Sequence, residues 1–192
     1  MTQALWEAVT GENPAMFKDG DDAVHRPVEQ VSWFDAVRFC NALSVKLGLA
    51  AAYTVGEGEE PEVTCDFTAS GFRLPTESEW EFGCRSGSVT SRYYGRGEGL
   101  FPRYGWYAAN AKERAWPVGV LRPNELGLFD MLGNAFEWCE DPGLVYRTGQ
   151  RDDIESRTYM ILKEQTNRLL RGGSFFVRPV LLRSAYRLFN RP

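Results

Sequence analysis

One histidine in 192 residues leaves no means of building a histidine-rich metal centre; the single imidazole, His25, sits in a polar run beside Arg26 and reads as an exposed loop residue. Cysteine is also sparse. Cys40, Cys65, Cys84 and Cys139 lie far apart and make no CxxC pair, so they do not read as a zinc site, and their apolar surroundings favour buried, reduced thiols. No apolar run approaches the length that spans a membrane, and no charged-then-apolar leader precedes the first helix, so the chain reads as soluble, with a cytoplasmic location favoured and no membrane partner. Excess positive charge is missing as well. A net charge of -4 and a pI near 5.2 give no general attraction for nucleic acid, although arginines gather between Arg147 and Arg191. Tandem repeats and low-complexity segments are absent.

What the chain does have is a composition of 43% hydrophobic and 14% aromatic residues, enough for one packed domain. Thr2 predicts a short helix from Gln3 to Val9 with Leu5, Trp6 and Val9 inward, ended by Gly11. Ser32 predicts a longer one, Trp33 to Leu47, with Trp33, Val37, Cys40, Leu43 and Leu47 on one stripe. Ala52 to Val55 and Val63 to Phe67 read as a hairpin. Thr76 and Glu79 form a capping box before a third helical stretch carrying Trp80, Phe82 and Cys84. Pro117 to Val120 reads as a short strand, and Glu140 to Asn167 as an exposed polar excursion.

The stretch Asn124 to Trp138 is apolar without helical or strand period and rich in oxygen from Asp130 to Glu137. Two readings stand. A hard cation such as calcium would accept carbonyl and carboxylate oxygens there; alternatively the stretch is a tight core turn, with Asn134 bonding its own backbone and Glu137 paired to an arginine.

Four ordered blocks make the chain specific: Pro27 to Ala36, Gly71 to Glu81, Asn124 to Trp138 and Leu170 to Ser174. Together they resemble the signature segments of the formylglycine-generating-enzyme (sulfatase-modifying factor) family. The resemblance implies an α+β, C-type-lectin-like fold with two main helices, a small twisted antiparallel sheet and much irregular structure. It also implies one domain over residues 1–192 that lacks the family's N-terminal strands and its closing Gly-Phe-Arg strand, so a fragment of a longer protein is expected. The family's oxidase activity needs a copper-binding cysteine pair after Gly-Gly-Ser. Val177 and Leu182 stand about there, so no catalytic residue is assigned and copper is not expected. A second branch uses an iron held by several histidines, which His25 alone cannot supply. The family's structural calcium transfers better, onto Asp130 and Glu137 through their side chains and onto Met131, Gly133 and Ala135 through their carbonyls. A further family calcium site beginning at Asn110 lacks its acidic partner.

Relatives of this kind in bacteria and phages serve as variable proteins of diversity-generating retroelements, in which randomised asparagine codons line a binding face after Gly-Gly-Ser. The tail from Phe175 to Pro192 contains none of Lys, Glu, Gln, Met and Trp, which such randomisation cannot reach. The expected face comprises Phe175, Phe176, Val177, Arg178, Leu181, Tyr186, Leu188, Phe189 and Asn190, with two core strands as the competing reading of its apolar residues. Arg171, Arg178, Arg183, Arg187 and Arg191 read as strand-edge solubilisers before ligand contacts. The expected function is thus a non-catalytic, calcium-stabilised domain binding a protein or small ligand. Its rivals are an oxidase with a divergent or incomplete site, a retroelement variable protein and a regulatory domain of a larger, kinase-linked chain.

Overall fold

A computed structural model describes residues 1–58, 61–143, 159–162 and 167–192. Caps set the helices. The Thr2 hydroxyl accepts the Leu5 amide at 3.2 Å to start α1 (Gln3–Thr10), and Gly11, at φ 84°, ends it. Reciprocal capping boxes start α2 (Trp33–Lys46), through Ser32 and Asp35, and α3 (Glu77–Arg85), through Thr76 and Glu79.

Helix α2 buries a wider arc than a single stripe because it has partners on two sides. Phe39 stacks on Trp6 of α1 with ring centroids 4.7 Å apart, while Trp33, Phe34, Val37 and Cys40 pack against Tyr53, Val63 and Cys65. Leu5 and Leu47, expected inward, are exposed. Gln3 takes the inward place on α1, its amide nitrogen donating to the Phe17 carbonyl at 3.1 Å.

Among the described residues the strands are β1 (Tyr53–Val55), β2 (Val63–Asp66), β3 (Glu137–Pro142), β4 (Tyr159–Leu162), β5 (Arg168–Arg171) and β6 (Leu188–Asn190). They form two three-stranded antiparallel sheets, ordered β1-β2-β4 and β3-β5-β6. The second sheet carries the site, since Glu137 pairs with Arg171 and Trp138 with Leu170. Two sequence expectations are corrected. Pro117 to Val120 is a turn, because Gly119 takes φ 73° and the Val118 amide is spent on the His25 carbonyl. Glu140 is fully buried and lies inside β3, and residues 159–162 pair with β2, so those parts of the 140–167 segment belong to the sheets. Residues 144–158 and 163–166 lie outside the described residues.

All four cysteines are free and buried, and burial first, then Glu140, pushes the Cys40 and Cys65 thiols up to about 12. Glu140 itself is raised to about 7, chiefly by burial, against the hydrogen bond from the Tyr53 hydroxyl. Its folded pKa lies above its ordinary value near 4.5, so the native state holds the extra proton and stability falls as pH rises from about 4.5 through about 7. The contribution amounts to about 3 kcal/mol. Denaturant unfolding at either end of that window should show the fall in the wild type and a much smaller one in Glu140→Gln. A variant with the full fall would assign it to another group.

Candidate functional site

The loop before β3 and the turn after β5 are built against each other. The Gly133 amide donates to the Gly172 carbonyl at 2.9 Å, and the Phe175 amide donates to the Asn134 carbonyl at 2.9 Å. Asn134, at φ 60°, holds the 116 region in turn: its Oδ1 accepts the Trp116 amide and its Nδ2 donates to the Trp116 carbonyl, both at 3.0 Å. Asn134 therefore bonds a remote segment and not its own backbone. Gly133 has no substitute here, because at φ 91° a Cβ would strike the Trp106 carbonyl.

In this loop Asp130 sits at φ 56°, with Oδ2 accepting the Gly119 amide at 2.8 Å. Its Oδ1 is buried and has no hydrogen-bond partner among the described residues. Glu137 accepts the Trp80 indole N–H, and among the described residues no lysine, arginine or histidine forms an ion pair with either carboxylate. Burial raises both carboxyl groups, against the hydrogen bonds that Gly119 gives Asp130 and Trp80 gives Glu137. Two main-chain oxygens complete the setting. A Cβ on Gly172 would lie 3.5 Å from the Met131 carbonyl oxygen and 4.0 Å from that of Ala135, so both oxygens face the same small space. Met131 is otherwise met there by the Cys84 thiol at 3.8 Å. Among the described residues no cluster of three or more His, Cys, Asp and Glu side chains gathers, so an ion at this place would rest largely on carbonyl oxygens. A cavity of about 670 Å³ opens beside the loop, and its lining includes Trp6, Phe39, Leu43, Phe129, Asp130 and Glu137.

The tail after Gly172-Gly173-Ser174 mixes anchors and outward residues. Val177 is buried in the core with Leu169 and Leu182, so it faces inward and not onto the expected face. Leu188, Phe189 and Asn190 form β6, paired with β5, and Leu188 and Phe189 are half-buried in that sheet. Phe175, Leu181 and Tyr186 are half-buried, while Phe176 and Arg178 are exposed, Phe176 at 63%. An aromatic chain runs through Phe17, Phe175, Phe176 and Phe136 in edge-on contacts, the closest with centroids 5.3 Å apart.

Two of the arginines are not surface solubilisers. Arg171 is fully buried over the Trp80 ring; it donates to the Ser184 and Tyr186 carbonyls at 2.9 Å and to the Glu81 carboxylate. Arg187 forks onto both oxygens of Glu77, at 2.6 and 2.9 Å. Sequence reasoning also misses Arg92, buried, which donates to the Leu182 carbonyl at 3.0 Å and the Pro179 carbonyl at 2.7 Å. Nothing in the local sequence around these arginines signals such distant acceptors.

Capped helices beside two small antiparallel sheets, joined by long irregular segments, define an α+β domain of the C-type-lectin-like class. Residues 1–192 match the sulfatase-modifying factor enzyme 1-like domain, and the chain belongs to that family. Treponema denticola variable protein 1 superposes with a TM-score of 0.89 at 32% identity, covering 100% of this chain and 77% of that one. Chaperone protein LppX of Paenibacillus barcinonensis is 36% identical over 168 residues, 72% of this chain and 59% of that protein. The formylglycine-generating enzyme of Bos taurus is 32% identical over 162 residues, 76% of this chain and 36% of that one. The matched region thus spans 59% and 36% of the lengths of these two relatives. Among the described residues no helix is long and apolar enough to cross a membrane.

Proposed function

We propose that this chain is a non-catalytic binding domain of the family, stabilised by one calcium ion and presenting the segment after Ser174 to a partner. The observation that carries the reading is the fate of the two positions where the oxidase has its cysteines. Val177 and Leu182 are buried core residues here, and the four thiols present lie on other elements, three of them pushed up to about 12 by burial. A copper(I) site needs soft thiolates brought together, and this tail supplies none.

Calcium suits the residues around Asp130. The orphaned Oδ1, the Met131 and Ala135 carbonyls turned to one space and the Glu137 carboxylate offer hard oxygen donors without a competing side-chain cation. With Gly133, these residues would hold the ion, which supplies charge neutralisation and cross-linking of the loop. The amides of Gly133 and Phe175 then tie that loop to the outward segment.

The similarity to a Treponema denticola variable protein favours the more specific reading, a variable protein of a diversity-generating retroelement. Sequencing the surrounding DNA tests it: the expected finding is a near-copy of the codons for the tail, differing at adenines, beside a reverse-transcriptase gene. DNA without such a copy removes this reading. For the broader proposal, the chain incubated with copper, oxygen and a cysteine peptide should form no formylglycine beyond a protein-free control. Conversion of the cysteine to formylglycine would overturn it.

A further inference from the structure

From Gly172 to Pro192 the chain carries four arginines and no aspartate or glutamate, a segment charge of +4 within a chain of net charge -4. One loop concentrates this charge on the outside. Between Phe175 and Tyr186, Phe176, Arg178, Val180, Arg183 and Ala185 are exposed, while Val177, Leu182 and Ser184 between them are buried. The buried positions are pinned by main-chain bonds. The Ala108 amide donates to the Val177 carbonyl at 3.2 Å, the Ser184 amide to the Ser91 carbonyl at 2.9 Å, and Arg92 and Arg171 grip the Leu182 and Ser184 carbonyls. The backbone is therefore held independently of the side chains that point outward.

Two of those side chains are large apolar groups, Phe176 at 63% and Val180 at 59% exposure, and Phe176 continues into the ring of Phe136. The other two large ones are Arg178 and Arg183, for which no ion pair forms among the described residues. Glu98 is engaged by Arg92, whose guanidinium also holds the Leu182 and Pro179 carbonyls of the loop.

We infer that this loop docks an acidic, apolar protein surface, in which carboxylates meet Arg178 and Arg183 and apolar side chains cover Phe176 and Val180. The inference rests on the binding-domain reading above and names the partner's chemistry. Arginine and aromatic groups are the side chains that anchor protein interfaces, and a backbone already held leaves only side-chain freedom to be lost when the arginines meet carboxylates. A nucleic acid is the poorer fit, because its repeated phosphates would meet the negative field of the rest of the chain.

The test is selection of a random-peptide library on the full chain, with a Phe176→Ser/Val180→Ser chain as the reference. Peptides enriched on the wild type should carry Asp or Glu beside aromatic or aliphatic residues, lose affinity several-fold as salt is raised, and lose at least about tenfold to Arg178→Glu/Arg183→Glu. Peptides that depend on Phe176 and Val180 but show no acidic bias would overturn the partner chemistry while leaving the binding face in place. No enrichment over the reference would contradict both. An oligothymidylate that binds the same loop more tightly than the peptides would replace the proposed partner with nucleic acid.

Discussion

Arg171→Met will cost the fold about 3–5 kcal/mol, the magnitude of breaking one side of a buried ion-pair network. The side chain is fully buried and stands 3.5 Å from the Glu77 carboxylate besides its bond to Glu81. Methionine fills part of the volume but leaves Glu81 without its buried partner and strips the Ser184 and Tyr186 carbonyls of their donors. At about 2–4 °C per kcal/mol for a domain of this size, the melting temperature should drop by about 10 °C. Glu81 keeps its pair with Arg85 at 2.7 Å and Glu77 keeps Arg187 at 2.6 Å, so the cost should fall toward the lower end of the range of about 3–5 kcal/mol. A loss below about 1 kcal/mol would mean that Arg171 is placed like a surface arginine, against its burial.

The second large effect concerns the ion. At a calcium concentration about a hundredfold above Kd, mass action stabilises the native state by about 2.7 kcal/mol, so a chelator should lower the melting temperature by about 5–10 °C. Asp130→Ala should abolish most of that increment, since it removes the unpartnered Oδ1. It also frees the Gly119 amide, so the variant starts from a lower chelator-treated baseline. The informative quantity is the calcium-dependent difference within each protein. Identical melts with and without chelator in the wild type would reject the site.

How much of this was legible in the sequence depended on how far apart the interacting residues are. Thr2, Ser32 and Thr76 announce their helices because each cap reaches only three residues along the chain. The β1–β2 hairpin is readable for the same reason. The pairing of β2 with β4 is not, since it joins residues near 64 to residues near 161, and neither is the division into two sheets. Side-chain orientation follows the same rule. Leu47 satisfies a helical period with Cys40 and Leu43 yet faces solvent, because the period says which residues share a face and not what lies opposite it.

At the candidate site, the oxygen-rich run from Asp130 to Glu137 is visible from composition, whereas its geometry comes from elsewhere. Gly119 and Trp80 reach the two carboxylates, and Gly172 opens the space that the Met131 and Ala135 carbonyls face. The tail shows the limit most clearly. Its arginines look alike, but Arg171 bonds Glu81 across 90 residues, while Arg178 and Arg183 remain outside. Val177 and Phe176 are neighbours of similar hydrophobicity, and only the core packing of one and the exposure of the other assign them opposite roles.

The quadruple variant Phe176→Ser/Arg178→Ser/Val180→Ser/Arg183→Ser tests the binding-domain proposal most directly, through its melting temperature and its affinity for the selected peptides. Exposed substitutions on a backbone held by Arg92 and Arg171 should each change stability by no more than about 0.5 kcal/mol, keeping the melt within about 8 °C while peptide binding disappears. A domain that keeps its peptides, or one that unfolds at room temperature, would contradict the assignment of this loop as a binding face carried by an independent scaffold.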